Sequence, residues 1–349
     1  MNQSVSNCHR AYRYETIDIA KAFAIILVVI GHFQSAYMPD GYETMRSIIY
    51  LFHMPLFLFV SGFLYQATWR KMPYRAFILK KFKRLMIPYF TVSVIIIGLK
   101  MISAERLPME NPVSWYSLIE MFYLPSAGFF LWFIWALWWM MVLIPLFKTP
   151  KARICLFIVA LGLHFCSDDF TDIFCIREFA NMLVFFSGGT VVSDYMRRKN
   201  IYSFSAVCHL IAIVAFILIA TLLTGHYICL SGVGDRILTF AANISGIAMF
   251  IAISYYWHTT ASSFLLKVTY SIARYSFLIY LLHTTFEGFA KGVLFKIGWF
   301  EFHPAMLTAW FGAAIVVTAG VCIPWLLGRF ILSRWQSLSF LSGIQYRGN

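Results

Sequence analysis

The chain has 349 residues, of which 60% are hydrophobic and only 12% are charged, and its mean hydropathy is +0.74. Soluble globular domains carry about 25% charged residues, so this composition excludes an ordinary soluble protein and indicates a protein that lies almost wholly in a membrane. The net charge of +13 is explained by basic loops beside anionic lipid headgroups, and we predict no nucleic acid partner.

Apolar segments long enough to cross a bilayer as helices recur along most of the chain. We predict about ten of them, near residues 17–37, 46–67, 85–103, 128–147, 153–168, 179–195, 204–224, 237–257, 272–291 and 305–331. Most of the 28 Lys and Arg residues fall on the side of the termini, so the positive-inside rule puts both termini in the cytoplasm. The expected fold is an all-α integral membrane protein, one domain over residues 1–349 with its spans between about 17 and 332.

The first segment carries three ionisable side chains, Asp18, Lys21 and His32. An α-helix turns 100° per residue, so Lys21 and His32 lie within about 20° of one face and roughly 16 Å apart along the axis. Asp18 is three residues before Lys21 and can pair with it. Ionisable groups inside a span usually face a bundle interior or an aqueous cavity, so this helix is predicted to line the functional site.

Two further histidines fall within predicted spans, His53 beside Pro55, which is expected to kink its helix, and His283 three residues after Tyr280. The three histidines are expected at similar depth, where they can converge. Imidazole is the usual general base near neutral pH, and the chain has no Gly-x-Ser-x-Gly elbow. Base catalysis on an incoming hydroxyl is therefore the simplest acyl-transfer scheme.

Alternatives remain for these histidines. A packed, hydrogen-bonded histidine is about as good an interpretation of His53 or His283 alone. A zinc site on the three rings is disfavoured, because no acidic partner is evident at their depth. We therefore predict no metal and no permanently bound cofactor. Ser61-Gly62 is expected to permit close helix packing rather than to supply a nucleophile.

The basic segment that leads into the third span includes Lys81 and Arg84. Positive charges at a cytoplasmic helix end anchor a protein to lipid headgroups, and an arginine fork also suits phosphate. Anchoring and the binding of a phosphorylated donor both stay open, and they do not exclude each other. Cys166 and Cys175 flank an acidic loop and can pair in an oxidising compartment, although two unlinked thiols are favoured.

These segments, in this order, resemble the acyltransferase-3 family of integral-membrane O-acyltransferases, in the branch of the fucose 4-O-acetylases. The resemblance rests on Ile17–Lys21 with Val28–His32, Phe52–Phe57 with Ser61–Leu64, Lys83–Tyr89, Leu131–Phe133 and Tyr275–His283. Lys21 stands where arginine is more common in the family, which keeps the charge and loses the bidentate fork.

The resemblance implies a multi-pass protein of the bacterial cytoplasmic membrane that takes acetyl-CoA as co-substrate from the cytoplasm. It implies His32 as the catalytic base, Lys21, Lys81 and Arg84 as acyl-CoA-binding residues, and Asp18 as their support. The residues expected to bind the acceptor or the oxyanion are His53, Trp132, Tyr280 and His283. Because the chain ends shortly after its last span, the expected acceptor is a surface polysaccharide or a lipid-linked glycan.

The leading hypothesis is therefore an O-acetyltransferase that modifies a sugar hydroxyl. The main alternative is a transporter or flippase that uses the polar face of the first helix, with Asp18, Lys21 and His32, as a permeation path. A sensor without catalysis, in which buried histidines tune a conformational switch, is a third.

Overall fold

The computed structural model describes residues 2–34, 38–103, 113–199, 201, 204–225, 232–299 and 306–346, without the side chains of residues 2–14, 103 and 306. These ranges contain helices and loops and no strand, which confirms the all-α prediction. The α-helices are α1 (Asn2–His32), α2 (Tyr42–Tyr50), α3 (His53–Ala67), α4 (Tyr74–Ser103), α5 (Ser117–Glu120), α6 (Trp132–Leu143), α7 (Pro150–Phe165), α8 (Ile176–Lys199), α9 (Ala206–Thr224), α10 (Val233–Thr260), α11 (Ser263–Lys296), α12 (Met306–Phe330) and α13 (Gln336–Ser342).

Eight helical segments in the described ranges are long and apolar enough to cross a membrane, with α2 and α3 together forming one of them. The remaining two predicted spans correspond to α1 and α7. Helix α7 has 16 residues, fewer than the roughly 20 that a bilayer requires, and α1 carries Glu15, Asp18 and Lys21. The protein is thus a multi-pass membrane protein, and the number of ten spans stays a prediction.

Helix α9 shows the surface that such a protein presents to lipid. Its exposed side chains are almost all aliphatic, namely Val207, Leu210, Ile211, Val214, Ile217 and Leu218. An apolar surface of this extent would aggregate in water, whereas hydrocarbon chains solvate it at no cost. Helix α1 lies inside the bundle, where it packs against α3, α10 and α11.

The helix boundaries near the predicted site differ from the sequence prediction. Helix α1 ends at His32 rather than at residue 37 (residues 35–37 lie outside the described ranges), so the imidazole projects from a helix terminus. The predicted second span is divided at Leu51 and Phe52 into α2 and α3. Pro55 has no N–H to donate to the carbonyl four residues earlier, so the regular ladder cannot continue through this point. The break puts His53 at the first position of α3.

Close contact between α3 and α8 confirms the packing role predicted for Ser61-Gly62. A Cβ atom at Gly62 would lie 1.9 Å from the carbonyl oxygen of Phe186, and one at Gly189 would lie 2.1 Å from that of Phe59. The two backbones therefore touch where glycines face each other, as small residues permit between membrane helices. The Ser61 hydroxyl donates to the Phe57 carbonyl at 2.8 Å.

Charged and polar side chains join α3, α7 and α8 at the end of the bundle opposite His32. The Arg153 guanidinium donates to Asp194 through Nε at 2.8 Å and through Nη2 at 2.5 Å, and Gln66 Nε2 donates to the other oxygen of Asp194 at 2.8 Å. Arg153 is 7% exposed and Asp194 is 4% exposed. Arg197 Nη2 also donates to Asp194 at 2.9 Å but is 58% exposed, so Asp194 is the carboxylate that compensates the buried charge of Arg153.

The substitution Asp194→Asn is therefore expected to destabilise the protein by about 3 kcal/mol, because it leaves Arg153 buried beside a neutral amide. Thermal unfolding of the purified protein in detergent measures this effect. The matched control is Asp172→Asn, whose partner Arg177 is 42% exposed, and an exposed pair contributes about 0–1 kcal/mol. Equal unfolding midpoints for the two variants would contradict the assignment.

Cys166 and Cys175 are separate free thiols, as favoured from the sequence. Cys175 is buried and Cys166 is exposed, so the acidic loop between them is not closed by a disulfide.

Candidate active site

A cavity of about 1220 Å³ lies at one end of the bundle. Its walls come from helix ends that meet there, including Gln34 after α1, Asp168 after α7, Asp235 at the start of α10 and Phe295 at the end of α11. The exposed Phe129 is among its lining residues, so the cavity reaches the surface. In the topology predicted from the basic loops, this is the outer side.

His32 lines this cavity, which agrees with the prediction that the first helix faces a site rather than lipid. Its Nδ1 lies 2.7 Å from the carbonyl oxygen of Val28, one turn earlier in α1. A carbonyl only accepts hydrogen bonds, so Nδ1 carries the proton and Nε2 of the neutral ring keeps its lone pair. The arrangement orients the ring and leaves Nε2 as a base.

The other two histidines surround His32, as predicted. The ring centroid of His283 lies 5.0 Å from that of His32, and the centroid of His53 lies 6.4 Å from it. His53 lines the cavity, whereas His283 is fully buried behind it.

Backbone carbonyls also set the tautomers of these two rings. Nδ1 of His53 lies 2.8 Å from the Ile49 carbonyl oxygen, and Nδ1 of His283 lies 2.7 Å from that of Tyr280. Nε2 of each ring is buried and has no hydrogen-bond partner in the described part of the chain. Each neutral ring therefore presents a hydrogen-bond acceptor and not a donor.

Aromatic rings enclose the histidines. Tyr50 lies 4.8 Å from His53, and Phe130 lies 5.3 Å from His283, between ring centroids. The Tyr280 hydroxyl donates to the Phe130 carbonyl, so its proton is committed to the protein. Trp132 lines the cavity, and its indole N–H is a donor only.

One polar wall of the cavity was missed in the sequence. It comprises His164, Asp168, Asn181, Arg236 and Asn243, all of which line the cavity. Nδ1 of His164 lies 2.6 Å from the Asn181 carbonyl oxygen, and Arg236 forms an ion pair with Asp168. These residues come from α7, α8, α10 and the loop after α7, so no local pattern connects them. A signal did exist, because His164 and Asn181 fall within predicted spans, where polar side chains are rare.

Glu287 was also missed, although it falls inside the ninth predicted span. It lies four residues after His283 on α11, is 3% exposed and lines the cavity. An acid within an apolar span marks a functional site by default, and this rule identifies it from the sequence.

The predicted donor-binding cations do not line this cavity. By helical rise, Lys21 lies roughly 16 Å from His32 along α1. Helix α4 carries both Arg84 and the cavity-lining Lys100. By helical rise the two residues are about 24 Å apart along its axis. The charges of Lys21 and Arg84 are nevertheless close enough to repel each other, although they come from different helices. Lys81 places its ammonium 5.4 Å from the centre of the Phe77 ring.

Asp18 does not form the contact ion pair that its spacing allowed. No salt bridge within 4 Å joins it to Lys21 in the described residues, although the two charges still attract each other. No group of three His, Cys, Asp or Glu side chains suited to a metal ion occurs among the described residues either. The rings of His32, His53 and His283 form a cluster in which each Nδ1 faces a backbone carbonyl oxygen.

The fold and the cavity define a class of protein, a multi-pass helical membrane protein with a protonatable ring in a surface-connected cavity. Such a site suits chemistry on a substrate that enters from one side. A sequence model of the acyltransferase-3 family, described as an acyltransferase domain, matches residues 14–329. The chain belongs to the acyltransferase-3 family, and it is a membrane acyltransferase. Neither the curated proteins nor the solved structures gave a match.

Proposed function

We propose that this protein is an O-acetyltransferase that moves an acetyl group from cytoplasmic acetyl-CoA to a sugar hydroxyl of a surface or lipid-linked polysaccharide. The observation that carries the proposal is the His32 ring, held through Nδ1 by the Val28 carbonyl with Nε2 left as a base in a large cavity. Membership in an acyltransferase family favours this chemistry over transport, which the polar face of the first helix also allowed.

In the proposed reaction, Nε2 of His32 takes the proton of the acceptor hydroxyl as the hydroxyl oxygen attacks the thioester carbonyl carbon. The tetrahedral oxyanion then collapses, the carbon–sulfur bond breaks, and the CoA thiolate receives the proton from the imidazolium. General base catalysis of this kind contributes about 10²–10⁴-fold. In the alternative route Nε2 attacks the thioester carbon and the C–S bond breaks, releasing CoA thiolate; the acceptor hydroxyl then attacks the acetyl-imidazolium, the N–C bond breaks, and the hydroxyl proton passes to the thiolate.

The remaining predicted residues have distinct proposed roles. His53 lines the cavity and is proposed to receive a second hydroxyl of the sugar at Nε2, with His283 supporting His32 from behind. The indole N–H of Trp132 is the proposed donor to the oxyanion. Tyr280 is proposed to hold Phe130 in place, because its hydroxyl proton is already bonded to the Phe130 carbonyl.

The cytoplasmic end is proposed to bind the donor. Lys21 and Arg84 come from different helices, and their like charges repel each other. Such an arrangement is stabilised by an anion between them, which the phosphates of coenzyme A supply. Lys81 is proposed to assist and Asp18 to hold Lys21 in position. The pantetheine arm would then extend along α1 towards His32.

The proposed setting is the bacterial cytoplasmic membrane, with α1 and α7 crossing it in addition to the eight apolar segments. Both termini would then lie in the cytoplasm, and the cavity would open on the opposite side. A lipid-linked or surface glycan reaches the cavity from that side. Small-molecule sites usually enclose about 300–1,000 Å³, so the larger volume here suits an acceptor of more than one sugar unit.

The test uses purified protein, labelled acetyl-CoA and polysaccharide from cells that lack the protein. We expect label to move to the glycan and new O-acetyl signals to appear in its NMR spectrum. In the variant Arg84→Ala we expect the KM for acetyl-CoA to rise by about tenfold, as for the loss of one charge-assisted contact. The control is Arg177→Ala, at the opposite end of the bundle. Glycan that gains no acetyl groups would refute the proposal.

A further inference from the structure

Glu287 is a buried acid of the cavity, and one of its carboxyl oxygens has no hydrogen-bond partner among the residues that the structure describes. The side chain is 3% exposed, and Oε1 is buried without a hydrogen bond in the described part of the chain. It lies one helical turn beyond His283, whose ring is 5.0 Å from that of His32. The carboxyl group is therefore a close neighbour of the histidine cluster on the same cavity wall.

The surroundings of Glu287 hold it in this position. A Cβ atom on Gly320 of α12 would lie 2.8 Å from Cγ of Glu287 and 2.9 Å from Cγ1 of Val29. The side chain thus fills the seam between α1, α11 and α12, and the absence of a side chain at Gly320 leaves room for it. The side chain is therefore fixed in the seam at the wall of the cavity.

The nearest cation on the same helix does not neutralise it. Lys291, one turn further along α11, donates to the backbone carbonyl of Gln34 at 2.8 Å. No lysine, arginine or histidine among the described residues lies within 4 Å of the Glu287 carboxyl oxygens. Metal binding is also disfavoured, because no suitable group of ligands occurs in the described ranges.

A buried polar group without a partner is costly, and such groups in native structures call for a functional explanation. We propose that Glu287 is an acceptor-binding residue that receives a hydrogen bond from a hydroxyl group of a polyhydroxylated substrate. A sugar presents several hydroxyls in fixed relative positions, so one can face His32 while another faces Glu287. This inference rests on the proposed function, and it adds a residue that sets which hydroxyl reaches the base.

The experiment compares Glu287→Ala and Glu287→Gln with the control Glu43→Gln, an exposed acid that pairs with Arg46 at the same end of the bundle. The acceptor probes are a series of neutral methyl glycosides and one methyl glycoside of an amino sugar. Three quantities are measured on purified protein: thermal stabilisation by each glycoside, acetyl transfer to it, and hydrolysis of acetyl-CoA without acceptor.

In Glu287→Ala we expect kcat/KM for the glycoside to fall by about 10- to 100-fold, the range for leaving a sugar hydroxyl without its buried hydrogen-bond partner. Most of the change should be in KM, and stabilisation by the glycoside should be lost. The cavity left in the seam should lower the unfolding midpoint of Glu287→Ala, so the ratio of acetyl transfer to acetyl-CoA hydrolysis is compared with that of the near-isosteric Glu287→Gln. Glu287→Gln keeps a carbonyl oxygen that accepts from a hydroxyl, so its loss should be smaller.

Three results would overturn the inference: transfer and hydrolysis that fall together, a binding loss confined to the amino glycoside, or a wild-type protein that no glycoside stabilises. Failure of the proposed function gives a different pattern. In that case the wild-type protein does not turn over acetyl-CoA, while its stabilisation by glycosides still depends on Glu287.

Discussion

Replacement of His32 by alanine is expected to lower acetyl transfer by about 10²–10⁴-fold, the contribution of a positioned general base. The reason lies in the tautomer. Because Nδ1 donates to the Val28 carbonyl at 2.7 Å, the lone pair of Nε2 is available to a hydroxyl group in the cavity. Neither neighbouring ring substitutes for it. His283 lies behind the cavity wall, and the ring centroid of His53 is 6.4 Å from that of His32.

The measurement is the initial rate of label transfer from acetyl-CoA to glycan, together with the thermal unfolding midpoint of each variant. His258→Ala is the matched control, because His258 lies outside the cavity, where its Nε2 is 3.7 Å from Glu15. We expect the control to keep full activity. Imidazole added to His32→Ala should restore part of the rate, which a merely structural role would not permit. Retained acetylation in His32→Ala would remove this residue from the mechanism.

Replacement of Gly62 by alanine is expected to prevent stable folding. The free energy of unfolding should fall by more than about 4 kcal/mol, which is an exceptional loss for a single methyl group. Overpacking of a core usually costs about 1–3 kcal/mol, because side chains can yield. Here the added carbon would lie 1.9 Å from the Phe186 carbonyl oxygen and 2.8 Å from its carbonyl carbon. Backbone atoms cannot move without separating α3 from α8.

The yield of monodisperse protein and its unfolding midpoint in detergent report this effect. Gly189→Ala should behave in the same way, since its Cβ atom would meet the Phe59 carbonyl at 2.1 Å. Gly162→Ala is the control, because no heavy atom lies within 4 Å of its added carbon. In a helix interior that control change is favourable by about 0.5–1 kcal/mol. A Gly62→Ala protein as stable as the control would show that α3 and α8 are further apart than described here.

The predictions for His32→Ala and Gly62→Ala both involve the position of His53. Helix α3 carries His53 at its first position and Gly62 nine residues later, so the contact with α8 also sets where the imidazole enters the cavity. Loss of the α3–α8 contact would therefore be expected to disturb the site even in a variant that still inserted into the membrane.

Helical periodicity allowed several features to be predicted from the sequence. It put Lys21 and His32 on one face of α1, and it identified Ser61-Gly62 as a packing element. Hydropathy identified the membrane-spanning character, and the depth of His53 and His283 within their spans indicated that the rings could converge. Each of these depends on residues within one helix, where spacing alone sets geometry.

Other features of the site depend on which helices become neighbours. The wall of His164, Asn181 and Arg236 forms only because α7, α8 and α10 meet at one end of the bundle.

The sequence alone determined the class of the protein, an apolar all-α membrane bundle, and the residue at the centre of its proposed chemistry, His32. Only the tertiary structure decided that the rings of His53 and His283 lie against it, that its Nδ1 bonds to the Val28 carbonyl and so leaves the lone pair on Nε2, and that Oε1 of Glu287 has no hydrogen-bond partner among the described residues. The physical reason is that hydropathy and helical period act locally along the chain. Contacts between side chains of different helices are set by packing across the whole bundle, which no local pattern encodes.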